Sequence, residues 1–417
     1  MAAPLQRTIH RVVVTGVGAV TPIGNTGEAF WEGLRSGRNG VGRVTSFDPT
    51  DCLVQIAGEV KDFDAEQYLE RKVARRTGRF AQFATAAGMQ AMVDGALEVT
   101  DANRDDIGVV MATSGDCFAM GPEWEIYLNR GSRNVDPFIV TRMGQHMGAA
   151  RLGRQLGVRG PNTTINTACA SGTDALGHAL SLIRLGHAKA LLAGGAEAMI
   201  TPLSLSSMGR LGALSKNNDD PEHAARPFDA NRDGFILGEG AGVLLLESEE
   251  HALARGARIY CELGGVGWSF DATDDTAPDP TGQALAMTRA LADADEQPGA
   301  VDYINAHGTS TQYNDRTETE AIKIALGDHA KRVKISSTKS MTGHLAAGAG
   351  GIEAVASVLA LHHGCIPPTI NYEVPDPDCD LDVTPNVAVS ADLRVVMSNS
   401  FGLGGQNAAA LFRRYEG

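Results

Sequence analysis

Four residues in three short polar segments are of the types that could do chemistry together. Cys169 stands in Asn166-Thr-Ala-Cys-Ala-Ser-Gly-Thr-Asp174, His307 in Asn305-Ala-His-Gly-Thr-Ser-Thr311, and Lys339 with His344 in Lys339-Ser-Met-Thr-Gly-His344. Thr163 to Ile165 reads as the end of a strand and Thr173 to Leu185 has helical spacing of apolar residues, so Cys169 falls at a strand-to-helix junction. Free amides and the positive end of the helix dipole there favour thiolate over thiol, and the thiolate is the nucleophile. The same amides can hold the oxyanion of a thioester carbonyl. A buried small hydrophobe is the commoner fate of a single cysteine. Against it stand both histidines, which follow the apolar strands Val301 to Ile304 and Val333 to Ser337 and so sit past strand ends, where α/β folds place their chemistry. A fourth segment, Asn399-Ser-Phe-Gly-Leu-Gly-Gly-Gln-Asn407, is a glycine-rich turn between two expected strands, free enough in backbone for a flanking side chain to swing.

Together these segments closely resemble the β-ketoacyl-acyl carrier protein synthases of dissociated (type II) systems, nearest to the synthase II branch. The motifs TACASG, NAHGTST, STKSMTGH and NSFGxGG occur in that family's order, and the likeness runs from Arg11 to Phe412. The resemblance implies the thiolase-like fold: two βαβαβ halves related by a pseudo-dyad and packed in five layers, αβαβα. We expect an N-terminal half over 1–255 carrying the nucleophile and a C-terminal half over 256–417 carrying both histidines. The boundary is read near Arg255-Gly-Ala257, after an apolar strand at Gly242 to Leu246 and a short charged helix. Residues 108–115 and 333–343 are comparable strand-then-turn units, a hint of duplication.

The resemblance also assigns roles. It makes Cys169 the acylated nucleophile, His307 and His344 the donors to the thioester oxygen during malonyl decarboxylation, and Lys339 an orienting residue paired with Glu353. Asp315 and Glu318 hold the His307 loop, and the amides of Cys169 and Phe401 form the oxyanion site. Thr309 and Thr311 bond a phosphopantetheine arm, brought by the acyl carrier protein rather than kept as a resident cofactor. Phe401 is the gating phenylalanine beside Gly402 and Leu403, and Met208 stands where a pocket phenylalanine is common. Leu403, Gln406, the Ser114-Gly-Asp-Cys-Phe118 turn and Asp275 depart from the usual pattern, and all border the expected acyl tunnel. They put the substrate in question, so a ketosynthase subunit of a reducing type II polyketide system, working as a heterodimer with a chain-length partner, stands beside fatty-acid elongation by a homodimer. A coenzyme A thiolase fits less well, because nothing after Cys379 supplies its second cysteine.

Composition narrows the field further. At 417 residues and 43% hydrophobic content the chain can bury a large core in two halves. A net charge of −14 argues against nucleic-acid affinity and would repel an acidic carrier protein, so docking must use a local patch. Arg71-Lys-Val-Ala-Arg-Arg-Thr-Gly-Arg79 is the densest basic run, and Lys72, Arg75, Arg76 and Arg79 would share one face of a helix. Six scattered cysteines suit free thiols in a reducing compartment, and with no apolar stretch long enough to span a membrane and no signal core we expect a cytoplasmic protein. No Cys/His spacing suggests a metal site, and His362-His363 beside Cys365 read as a solvated helix end. Gly16 to Gly24 invites a dinucleotide reading, but its spacing is GxGxxxxxG with Pro22 where a helix should run.

Overall fold

Strands buried on both faces read as unbroken apolar runs, and Val12–Val20 and Gly240–Ser248, with every residue buried, are of that kind. The computed structural model describes residues 9–417. In the first half β1 (Val12–Val20), β2 (Ile107–Ala112), β3 (Asn162–Ile165), β4 (Ala190–Glu197) and β5 (Gly240–Ser248) lie in the order β3-β2-β4-β5-β1. In the second, β6 (Cys261–Phe270), β7 (Tyr303–Asn305), β8 (Lys334–Ser336), β9 (Val395–Phe401) and β10 (Gln406–Arg413) lie in the order β8-β7-β9-β10-β6. Position for position the two orders are the same. The pairings match too: β2 is parallel to β3 and β4, while β5 is antiparallel to β4 and β1, and β7 and β10 repeat this. The halves join where Val13 and Val14 of β1 pair with Glu262 and Cys261 of β6, closing one ten-stranded sheet.

Helices complete the layers. On the outer faces, α1 (Arg79–Asp94) lies on β1 and β5 with α2 (Met147–Leu156) beside it, and α4 (Pro280–Asp293) lies on β6 and β10 with α5 (Gln312–Leu326) beside it. Between the two halves of the sheet run α3 (Ser171–Arg184) and α6 (Ala349–His363), each packed on strands of both halves. Ala349 to Leu361 are all buried, as expected of a helix that is apolar all round. This is the thiolase-like αβαβα stack.

The duplication is real, but its counterparts differ from the expected ones. By topology β2 corresponds to β7, which leads into the His307 loop, and β8 corresponds to β3, which leads into the Cys169 turn. Units 108–115 and 333–343 are therefore not equivalent; short polar turns after strands look alike in sequence whichever strand they follow. His362 and His363 are the solvated helix end that the sequence suggests. Both are exposed at the end of α6, where His363 stacks 4.8 Å from Trp31 and His362 lies edge-on to Tyr260 at 4.9 Å. The Gly16 to Gly24 segment runs out of β1 into a turn closed by Thr21 and Gly24, and the next helix begins only at Gly27, so no glycine loop meets a helix start there.

The central helices touch backbone to backbone. A Cβ on Gly172 would lie 2.5 Å from the Gly351 nitrogen, and one on Gly350 would lie 2.5 Å from the Thr173 nitrogen. Gly172→Ala should therefore force α3 and α6 apart and lower unfolding stability by about 2 kcal/mol in denaturant titration; an unchanged midpoint would show that the helices are not so close.

Candidate active site

The chain makes a tight elbow between β3 and α3. Ala168 takes φ 50°, a left-handed conformation unusual for a residue with a Cβ. Ser171 closes the elbow: its Oγ accepts the Thr167 N–H at 2.7 Å, and its own N–H donates to the Ala168 carbonyl at 3.2 Å. Cys169, half-buried, sits on this elbow two residues before α3 begins.

The two histidines arrive from the other half. Glu318 on α5 accepts the amides of His307 at 2.8 Å and Gly308 at 2.7 Å, and Asp315 accepts those of Ser310 at 3.2 Å and Phe228 at 2.8 Å, so both buried carboxyls hold the loop after β7. His344 follows a short helical turn, Lys339–Thr342, and is pinned on both sides: its N–H donates to the Ile236 carbonyl at 2.7 Å and its carbonyl accepts the Gly238 N–H at 2.9 Å. The result is a cluster in which Cys169 Sγ and a ring nitrogen of each histidine lie within 4.8 Å of one another. The imidazole rings stand nearly perpendicular, centroids 5.3 Å apart; Phe401 lies edge-on to His307 at 5.7 Å and Phe235 edge-on to His344 at 5.4 Å.

Burial sets the protonation states. It holds both histidines well below the usual imidazole range, helped by the Lys339 charge and, for His307, by the neighbouring His344. Both rings are therefore neutral. Lys339 is buried against Glu353, with which it forms an ion pair, and its Nζ reaches His307 Nδ1 at 3.5 Å. An ammonium can only donate, so His307 Nδ1 accepts and Nε2 carries the proton. The thiol differs from the sequence expectation. Burial pushes Cys169 above the ordinary thiol range; the Leu403 amide and Lys339 pull it back down, and Glu353 adds to the rise. The helix end does not by itself make a thiolate at rest, because the cost of burial outweighs it.

A cysteine and two imidazoles make a donor set that would suit a soft divalent metal. Here Lys339 occupies Nδ1 of His307, so the nitrogen left to that ring is an N–H donor and the set does not fit a cation.

The glycine-rich turn lies against the elbow. A Cβ on Gly402 would sit 2.7 Å from the Thr167 carbonyl, so only glycine allows this approach. Phe401 is buried at the end of β9; the Gly402 amide bonds the Gln406 carbonyl at 2.6 Å, which leaves the Phe401 amide outside that ladder. Leu403, more than half exposed, supplies an amide that faces the sulfur. Asp275 meets the turn through its backbone, its carbonyl accepting the Gly404 N–H at 2.9 Å. The hydroxyls of Thr309 and Thr311 lie 3.0 Å apart, and Thr311 also caps α5 by accepting the Asn314 N–H. Met208 packs with Phe118, Ile200 and Phe235 on an apolar cluster that reaches His344 through Phe235.

The basic run is not one helical face. Arg71–Ala74 forms a single turn, and α1 starts afresh at Arg79 because Thr77 and Gly78 are buried between them. Arg79 is drawn into an ion pair with Glu239 at 2.7 Å, over the Phe83 ring. Arg71, Lys72, Arg75 and Arg76 remain exposed and line a shallow cavity of about 360 Å³, with Arg76 over the Phe138 ring.

Sequence reasoning missed the segment from Arg226 to Gly238. In it Asp229 is fully buried, accepting the amides of Glu373 and Val374 at 2.7 Å, and Arg232 donates to the carbonyls of Thr311 and Gln312 at 3.1 Å. Opposite charges three apart, Asp229 and Arg232, are the only signal in the sequence, and they do not distinguish a buried brace from a solvated pair.

Comparison with known proteins agrees with this geometry. The family descriptions "Beta-ketoacyl synthase, N-terminal domain" and "Beta-ketoacyl synthase, C-terminal domain" match residues 10–252 and 260–373. A 3-oxoacyl-[acyl-carrier-protein] synthase 2 from Synechocystis sp. is 50% identical over 409 residues, 97% of this chain and 98% of that protein. Among solved structures, the ishigamide ketosynthase/chain length factor superposes with a TM-score of 0.91 at 38% identity, covering 98% of this chain and all of that one. A type II polyketide acyl-carrier protein in complex with its ketosynthase bound to the hexaketide gives 0.86 at 37% identity, with the same coverage. With a nucleophile elbow, two neutral imidazoles and a buried lysine in one cluster, and with likeness of this extent, the chain belongs to the β-ketoacyl synthase family.

Proposed function

We propose that the protein condenses an acyl group carried on Cys169 with malonyl-acyl carrier protein, releasing carbon dioxide and a β-ketoacyl carrier protein. The observation that carries this is the cluster of Cys169 Sγ with two neutral imidazoles within 4.8 Å. In loading, Cys169 sulfur attacks the carrier thioester, the bond to the phosphopantetheine sulfur breaks, and that sulfur takes up the proton the cysteine gives up. The Leu403 amide and Lys339 charge favour the passing thiolate. Malonyl carrier protein then binds, and breaking its C–CO₂ bond sends the electron pair towards the thioester oxygen. The His307 and His344 N–H groups donate to that oxygen, and as neutral donors they stabilise developing charge without surrendering a proton. The carbanion attacks the Cys169 thioester, forming the C–C bond and breaking the C–S bond, and the cysteine leaves as a thiolate that takes a proton from solvent. Lys339 keeps His307 in its donating tautomer, and Glu353 neutralises the buried ammonium. Thr309 and Thr311 are placed to meet the phosphopantetheine arm at the mouth, where Phe401 gates entry.

The pathway is fatty-acid elongation, supported by the half-identical synthase 2 of Synechocystis. A second reading, a polyketide ketosynthase paired with a chain-length partner, is favoured by Leu403, Gln406 and the Ser114–Phe118 turn, together with the likeness to the ishigamide protein. For the first reading the partner is a second copy of this chain, supported by the unpaired, half-exposed edge of β3. Unpaired cysteines suit a reducing cytoplasm. Intact mass after incubation with acyl carriers of both pathways separates the readings, and an adduct on any residue but Cys169 defeats both.

Three outcomes follow from the site. His307→Ala and His344→Ala should each cost about 10² to 10³ in malonyl decarboxylation, assayed in a Cys169→Gln background, and much less in acyl loading of an intact Cys169; equal losses in both half reactions would count against the donor role. Alkylation of Cys169 by iodoacetamide should keep climbing past the ordinary thiol pKa of about 8.5, because burial raises this thiol, whereas decarboxylation should hold below the ordinary histidine pKa of about 6.5, because the imidazoles are already neutral there. A plateau in alkylation near neutrality would show a resting thiolate instead. Finally, Arg75→Glu with Arg76→Glu should raise KM for carrier-linked substrates far more than for a short pantetheine mimic, an effect that fades as salt rises; if both substrates suffer alike, the exposed cations do not dock the carrier.

A further inference from the structure

The elbow that presents Cys169 is held by a carboxyl that the condensation chemistry does not use. Asp174 lies in the first turn of α3, where an acid would ordinarily satisfy the free amides of its own helix. It instead accepts the hydroxyl of Thr167 through Oδ2. Burial moves this carboxyl up to about 6, against hydrogen bonds from Thr167 and, behind it, Trp268. A half-buried carboxyl is expensive to keep, and the Thr167 hydroxyl is the nearer of the two groups that hold it.

Thr167 is where the constraints on the elbow meet. Its N–H donates to Ser171 Oγ, its carbonyl accepts the Ala170 N–H at 3.2 Å, and Gly402 of the gate turn leaves no room for a side chain beside that carbonyl. The next residue, Ala168, is strained at φ 50°, and such a conformation persists only when its surroundings over-determine it.

We propose that Asp174 is a positioning residue of the condensation reaction: by holding the Thr167 hydroxyl it keeps the Thr167-Ala168 backbone in the left-handed turn that aims Cys169 Sγ between the two imidazoles. Asp174 touches neither substrate nor sulfur; it acts through Thr167. This rests on Cys169 being the acylated residue, as proposed above.

The test is a cycle of Asp174→Ala, Thr167→Val and the double variant, each assayed as full-length protein for acyl loading, for iodoacetamide alkylation, and for malonyl decarboxylation in the Cys169→Gln background. Each single change should slow loading and alkylation by about tenfold, the loss expected of one hydrogen bond to a charged group, while decarboxylation stays within about twofold. The double variant should be no slower than either single one, since both remove the same bond. Asp174→Asn, which keeps an acceptor oxygen in place, should recover most of the rate. Additive losses, equal losses in both half reactions, or loading unaffected by Thr167→Val would each overturn the proposal. Should Asp174→Ala fail to fold, Thr167→Val and Asp174→Asn still decide it. An acyl adduct found elsewhere than Cys169 defeats the functional reading, whereas normal loading in the variants defeats only the positioning role.

Discussion

The closeness of two helix backbones governs nearly everything else in this protein. Cys169 precedes the first turn of α3, and the His344 loop precedes the first turn of α6, so the separation of the thiol from that imidazole is fixed by how near the two helices can come. Gly172 and Gly350 let them meet with no side chain between. The hydroxyls of Thr173 and Ser400, 2.8 Å apart, then tie α3 to the strand that ends in Phe401. Interiors are close-packed and transmit displacement rather than absorb it. A methyl group at this crossing would be felt at the sulfur.

The same packing makes the site dry, and dryness explains its charges. Both imidazoles are neutral because a cation there would lose its hydration, and the buried ammonium of Lys339 is tolerated because Glu353 lies against it. Removing one partner of such a pair leaves an uncompensated buried charge. The pair therefore serves less as a source of stability than as a fixed field beside His307. It sets which ring nitrogen holds the proton, and with it what the ring can do to a thioester oxygen.

Much of the site could be read from residue types in order along the chain. Cys169, His307, Lys339 and His344 stand in short motifs at strand ends, and the strands and helices around them follow from simple apolar periodicity. What could not be read depends on distance between segments far apart in sequence. The thiol was expected to be acidic from its helix terminus, a local property, yet burial raises it, and an amide that pulls it back, that of Leu403, comes from a turn more than 230 residues away. The basic run from Arg71 to Arg79 has helical spacing, but Glu239 claims Arg79 and buried Thr77 and Gly78 break the helix. Arg232 and Asp229 look like solvated charges until the amides and carbonyls they serve are in place. The repeat was visible only faintly, because its two copies share strand order rather than residues.

That repeat carries a further meaning for how the catalyst is divided. The turn after β3 and the turn after β8 occupy the same place in two like frames, yet one presents a sulfur and the other an ammonium and an imidazole. One scaffold element has thus been given opposite polarities, an electron-pair donor on one side and hydrogen-bond donors on the other, facing across a shared axis. A symmetrical frame in this way supports a reaction with a direction.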